Sequence, residues 1–223
     1  MTDMFFPMTS RNPARSRTRF SATWVALVGT LTLAGAPVLA AEHDHHAHHD
    51  HKADASAMTL LKRTQQVTLP DLAVVRMDGK RMKLSEAIND GRPVVLNFIY
   101  TSCTAICPVT SQVFMEFREQ IGAEKDRINM VSFSIDPEQD SPKRLTQYAK
   151  RFGSAGTWPH YTSSVQDSET LQRAFEAWRG DKMNHQPLTF IRATPTGPWL
   201  RLDGFMSPAD LVDEYRQFVA QKK

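Results

Sequence analysis

Inside the body of the chain, Pro93 to Tyr100 (PVVLNFIY) is almost continuously apolar, broken only by Asn97. Near-continuous apolarity without period-2 alternation is the mark of a central parallel strand covered on both faces. A helix is expected next, with Ile106, Val109, Val113, Phe117 and Ile121 along one stripe. Ile128 to Ile135 reads as the following strand. Ser141-Pro142 opens a helix to about Phe152, with proline at the first helical position, where a missing N–H costs nothing. Thr157 to Thr162 reads as a short strand. Asp167 to Trp178 reads as a helix, with Leu171, Ala174, Phe175 and Trp178 at helical spacing.

Two hairpins bracket this core. Gln65–Val75 and Arg81–Leu84 flank the turn signal Asp78-Gly79, and a short helix, Ser85 to Asn89, follows. Pro187–Ala193 and Trp199–Leu202 are joined across Gly197. Ser207 with Asp210 opens a last amphipathic helix through Leu211, Val212, Tyr215, Phe218 and Val219. Hairpin, βαβα, βα, hairpin, α describes one α/β domain with a mixed sheet, over residues 61–223.

The first sixty residues belong to a different class. Ala22 to Ala40 carries no charge, Arg11, Arg15, Arg17 and Arg19 precede it, and Val38-Leu39-Ala40 offers a small-residue cleavage site. Residues 1–40 therefore read as a signal peptide, or as an uncleaved membrane anchor, which exports the body to the periplasm. Residues 41–60 form a histidine-rich tail expected to be disordered. Six of the eight histidines fall there, at His43, His45, His46, His48, His49 and His51. Clustered imidazoles bind Cu(II), Ni(II) or Zn(II), but a tract without imposed geometry selects none of them.

Composition adds mainly exclusions. The 223 residues are 41% hydrophobic and 23% charged, which fits a globular chain. The net charge of +3 comes from the leader, so the body is formally neutral and lacks the electrostatic footprint of a nucleic-acid binder. With two cysteines, the fold rests on an apolar core rather than on disulfides.

Those two cysteines carry the chemistry. Cys103 and Cys107 lie where the buried strand turns into a helix, the carboxyl edge at which open α/β sheets build their sites. Pro108 belongs in the first helical turn, which makes Thr104 the expected N-cap and puts Cys107 at about the third helical position. Residues four apart across that turn can bring their sulfurs together. The helix start is expected to lower the pKa of Cys107 in particular. Such a pair can act as a redox couple through a disulfide, or hold a soft ion, with Cu(I) the best match. The two uses exclude one another. A plain structural disulfide is the third possibility.

The segments Leu96–Pro108 (LNFIYTSCTAICP), Ser134–Pro142 (SIDPEQDSP), Met183–Arg192 (MNHQPLTFIR) and LDGFMSPADLVDEY near the end resemble the Sco/SenC family. That resemblance implies a thioredoxin-like fold, a central mixed sheet flanked by helices, here with the first hairpin as an N-terminal extension. It implies copper bound by Cys103, Cys107 and His185, in service of the copper A centre of cytochrome c oxidase. Some relatives instead look like thiol-disulfide reductants of that centre, so the two cysteines are also candidate catalytic residues. It gives Asp136 a role beside the metal or on the partner surface, while Asp140 and Ser141 are the better caps for the next helix. His160, between aromatic and strand residues, reads as structural. The chain departs from the family by carrying Thr104-Ala105 where Pro-Asp is common, and Asn184 where an acid usually precedes the histidine. A peroxidase reading, on Thr104 and Cys107-Pro108, lacks the proline expected at position 100.

Overall fold

The computed structural model describes residues 60–154 and 156–221. The leader and the histidine tract lie outside the described residues. One eight-stranded sheet organises the domain, in the order β1-β8-β7-β4-β5-β6-β2-β3. Its strands are β1 (Leu61–Gln65), β2 (Ala73–Arg76), β3 (Arg81–Lys83), β4 (Val94–Ile99), β5 (Asn129–Ser134), β6 (His160–Thr162), β7 (Leu188–Arg192) and β8 (Trp199–Asp203). Helices α1 (Leu84–Ile88), α2 (Ile106–Gln120), α3 (Pro142–Arg151), α4 (Val165–Ala174) and α5 (Pro208–Ala220) flank it. None of the described helices is long and apolar enough to cross a membrane.

β4 is central and every one of its residues is buried. It runs parallel to β5 and antiparallel to β7, with Asn97 level with Ser132 on one side and Thr189 on the other. Its alternate residues serve two cores. Val94, Leu96 and Phe98 join Leu84 and Ile88 of α1 and Leu171 of α4. Val95 joins Phe114 and Phe117 of α2 and Leu211, Val212, Tyr215 and Phe218 of α5. Phe175 anchors the first core with edge-on contacts to Phe98, Phe190 and Trp199, the ring geometry that aromatic quadrupoles favour.

Several expected boundaries shift, each for a local reason. Of the first strand predicted over Gln65–Val75 only the end forms, as β2 from Ala73, and β1 lies before it, at Leu61–Gln65. β1 is an exposed edge strand whose Lys-Arg-Thr-Gln run shows no apolar alternation; it forms by pairing antiparallel with β8. β2 pairs with β3 as the Asp78-Gly79 turn requires, and also with β6. The buried face of α2 is Cys107, Ser111, Phe114 and Phe117; of the expected stripe Phe117 and Ile121 are buried, Ile106 and Val113 half-buried, and Val109 is 48% exposed. α4 starts at Val165 under a Ser164 cap and stops at Ala174, short of the predicted Trp178. Glu176 takes a left-handed φ of 53°, and the buried Arg201 guanidinium donates to the Phe175 and Glu176 carbonyls, 2.8 and 3.1 Å away. A cation on the last carbonyls is the usual way to satisfy a helix end.

His160 is fully buried beside Trp158, with its Nδ1 3.0 Å from the Trp158 carbonyl and no partner for Nε2. Burial lowers its pKa from 6.5 to about 4. The unfolded chain therefore binds this proton more readily than the fold does. Its contribution to stability is whole above about pH 6.5 and is lost as pH falls towards 4, roughly 3 kcal/mol at most. Denaturant titrations of wild type and His160→Asn, which keeps a donor for the Trp158 carbonyl, should show a shallower loss of stability across that window in the variant. Parallel pH profiles would contradict the assignment.

Candidate metal centre

The end of β4 is tied to the end of β5 before the cysteine turn begins. Asp140, fully buried, accepts from the Thr101 backbone N–H at 3.1 Å, the Thr101 hydroxyl at 2.5 Å and the Ser134 hydroxyl at 2.7 Å. Its carboxylate thus fixes the cysteine turn and leaves the capping of α3 to Ser141 alone. Position in the sequence makes Asp140 an expected cap. Only the fold reveals that it turns inward.

The helix cap at the cysteines also differs from expectation. α2 starts at Ile106 with Ala105 in the cap position, so Cys107 is the second helical residue, and Thr104 is an exposed bend residue. The Cys107 N–H, one of the free donors of the first turn, donates to Cys103 Sγ at 3.3 Å. The sulfur does what a capping oxygen does elsewhere. This reverses the expected order of acidity. Burial opposes ionisation of Cys103, but the Cys107 and Ala105 N–H groups and contacts with the Cys107 thiol and Tyr100 hydroxyl outweigh it, and its pKa is lowered. Cys107 has no exposed surface, and burial drives its pKa well above the usual thiol range. The helix start acts through Cys103, outside the helix, rather than through Cys107.

His185 reaches the same point from the other neighbour of β4. Because β7 runs antiparallel to β4, the residues before Leu188 lie at the carboxyl edge of β4. A single 3-10 turn, Lys182–Asn184, precedes the histidine, and Asp181 caps it. The Lys182 carbonyl lies 3.2 Å from both the His185 N–H and His185 Nδ1. That partner places the ring proton on Nδ1, the tautomer the hydrogen-bond network assigns. It leaves Nε2 facing Cys107 Sγ at 3.2 Å. Burial lowers the pKa of His185, so the ring is neutral at pH 7. The Tyr100 ring packs edge-on against it, with centroids 5.1 Å apart.

The donor atoms of Cys103, Cys107 and His185 all lie within 4.8 Å of one another. Two sulfurs and a neutral imidazole nitrogen suit a soft or borderline ion, Cu(I) before Zn(II), and suit hard cations poorly. Asp136 is not in that cluster. Its buried carboxylate accepts from Lys182 Nζ at 2.7 Å, and this hydrogen bond raises the lysine pKa. Asp136 therefore touches the residue whose carbonyl orients His185. The sequence assigned no role to Lys182 or Tyr100 and only a capping role to Asp140; each acts through a contact between segments distant in sequence.

Comparison with known proteins bears on the family and the fold. The SCO1/SenC family profile matches residues 62–216. A SCO1 protein homolog of Bacillus subtilis (strain 168) is 29% identical over 133 residues, which cover 56% of this chain and 67% of the relative. Arabidopsis thaliana ScoI, solved with copper bound, superposes with a TM-score of 0.57 at 20% identity, covering 68% of this chain and 98% of that one. BsSco, a member of the Sco family of cytochrome c oxidase assembly proteins, superposes with a TM-score of 0.59 at 24% identity, over 72% and 98% of the two chains. These similarities establish the thioredoxin-like fold of Sco proteins.

The unequal cysteines make a direct prediction. In the reduced, metal-free chain at pH 7, iodoacetamide should modify Cys103 at least about tenfold faster than Cys107, because thiolate character and access both favour it. Peptide mass spectrometry after brief exposure reads the ratio. Preferential labelling of Cys107 would contradict the geometry.

Proposed function

The chain belongs to the SCO1/SenC family, and on that footing we propose that it is an exported protein that binds copper and delivers it to a protein acceptor, the copper A subunit of cytochrome c oxidase. Cys103, Cys107 and His185 are the proposed ligands. The observation that carries this reading is the 3.2 Å approach of His185 Nε2 to Cys107 Sγ, across 78 residues of sequence. A dithiol reductase needs no imidazole at that place.

Copper here is cargo. Its binding replaces the thiol protons, so the ion must offset the cost that burial sets on ionising Cys107. A two-sulfur, one-nitrogen set accepts Cu(I), and the imidazole lets it also accept Cu(II). Export rests on the Arg-rich leader and the apolar segment that follows it.

One observation favours a second reading, reduction of a partner's disulfide. Cys103 has the lowered pKa and some exposure while Cys107 is sealed behind it, the arrangement of an attacking and a resolving thiol. Cys103 thiolate would attack the partner disulfide and release one partner thiolate. Cys107, losing its proton, would then attack Cys103 Sγ. The mixed disulfide breaks, the Cys103–Cys107 disulfide forms, and two electrons pass to the partner.

The deciding experiment uses the full chain with the six tract histidines changed to glutamine, so that only the body can respond. It should bind one equivalent of Cu(I). Cys103→Ser or Cys107→Ser should abolish binding, and His185→Ala should weaken Cu(I) by about tenfold or more and remove the Cu(II) spectrum, as expected for the loss of one of three ligands. A His185→Ala chain with parental affinity and spectra would sink the copper reading. Unchanged turnover of a disulfide substrate in that variant would then favour the reductase.

A further inference from the structure

The three proposed ligands are buried: Cys107 is 0%, Cys103 8% and His185 9% exposed. An incoming ion therefore meets another group first. Met183, in the turn that carries His185, is 70% exposed, yet its Sδ is directed onto the Tyr100 hydroxyl at 3.5 Å. The same tyrosine accepts the Cys103 N–H at its carbonyl, 3.2 Å away, and packs its ring edge-on against His185, with centroids 5.1 Å apart. One tyrosine thus links an exposed thioether to two residues of the centre. The turn beneath Met183 is fixed by the Lys182–Asp136 ion pair and by the Asp181 cap. The backbone stays in place while the unbranched side chain, with three rotatable bonds, can swing between solvent and the Tyr100 rim.

We propose that Met183 is the port ligand of the centre, a thioether that takes Cu(I) from a donor and passes it to Cys103, and takes it back on release. The proposal rests on the copper reading above. Transfer is ligand exchange without a change of oxidation state. The Met183 Sδ–Cu(I) bond forms as a donor ligand leaves, then breaks as Cys103 and Cys107 bind and their protons pass to solvent. A thioether suits this step. It is soft enough for Cu(I), weak enough to let go, a poor donor to Cu(II), and it carries no proton that must first leave. Packing gives a weaker account of Met183, because most of its surface remains in water.

A port ligand accelerates entry and exit alike and leaves the equilibrium unchanged. The test uses the full chain with tract histidines changed to glutamine, reduced and metal-free, against the same chain carrying Met183→Leu. Cu(I) uptake from its bicinchoninate complex and Cu(I) removal by bathocuproine disulfonate are followed by absorbance. Both rates should fall roughly tenfold in the variant, equivalent to about 1.4 kcal/mol in the transfer step. The competition equilibrium and the rate of Cu(II) uptake should not move. Rates within about twofold of the parent would overturn the proposal, as would equal slowing of Cu(II) or a change of one rate alone. A parent chain that takes up no Cu(I), and behaves like its Cys103→Ser and Cys107→Ser variants, would overturn the copper reading itself and this proposal with it.

Discussion

Antiparallel pairing of β7 against β4 is the constraint on which the centre depends. β4 alone delivers two sulfurs at its carboxyl end, as any strand-to-helix turn with this spacing would. The histidine arrives because Asn97 pairs with Thr189 and Val94 with Arg192, which turns the start of β7 towards the end of β4. A parallel strand in that position would present its carboxyl end there and carry His185 to the far side of the sheet. Every residue of β4 and β7 is buried, so their register is fixed by the two apolar cores and cannot slip by one residue without exchanging the faces.

Around that frame, the chain replaces familiar side-chain roles with its own. The acid that commonly precedes the histidine in the family is Asn184 here, and it is exposed. The carboxylate that does reach this turn is Asp136, through Lys182. On the cysteine side, no Ser, Thr or Asp caps α2. Cys103 sulfur takes the Cys107 N–H, which ties the acidity of one thiol to the geometry of the other. Asp140 holds the turn from below. An uncompensated loss of that buried acceptor would leave three donors short of a partner, so the cysteine turn depends on it mechanically.

Elements governed by strong periodicity or capping chemistry were legible from the residues alone. β4 follows from its apolar run, α3 from Ser141-Pro142, α5 from its Ser207–Asp210 box, and both hairpins from their turn residues. Elements made by tertiary pairing were not. β1 has a polar sequence and exists only against β8. The buried face of α2 includes Ser111, satisfied by the Tyr148 hydroxyl at 2.7 Å, and an apolar count passes over such a position. The two cysteines were visible as a motif and His185 through family resemblance. The inverted acidity of the thiols was hidden, because it depends on which sulfur the helix N–H groups meet.

Anomalous diffraction from crystals grown with one equivalent of copper tests the central claim most directly. The account predicts a single strong copper peak in the body of the protein, bonded to Cys103 Sγ, Cys107 Sγ and His185 Nε2, with Asn97 of β4 still level with Thr189 of β7. A copper peak elsewhere, with the imidazole of residue 185 still resting against an unmetallated thiol, would contradict it.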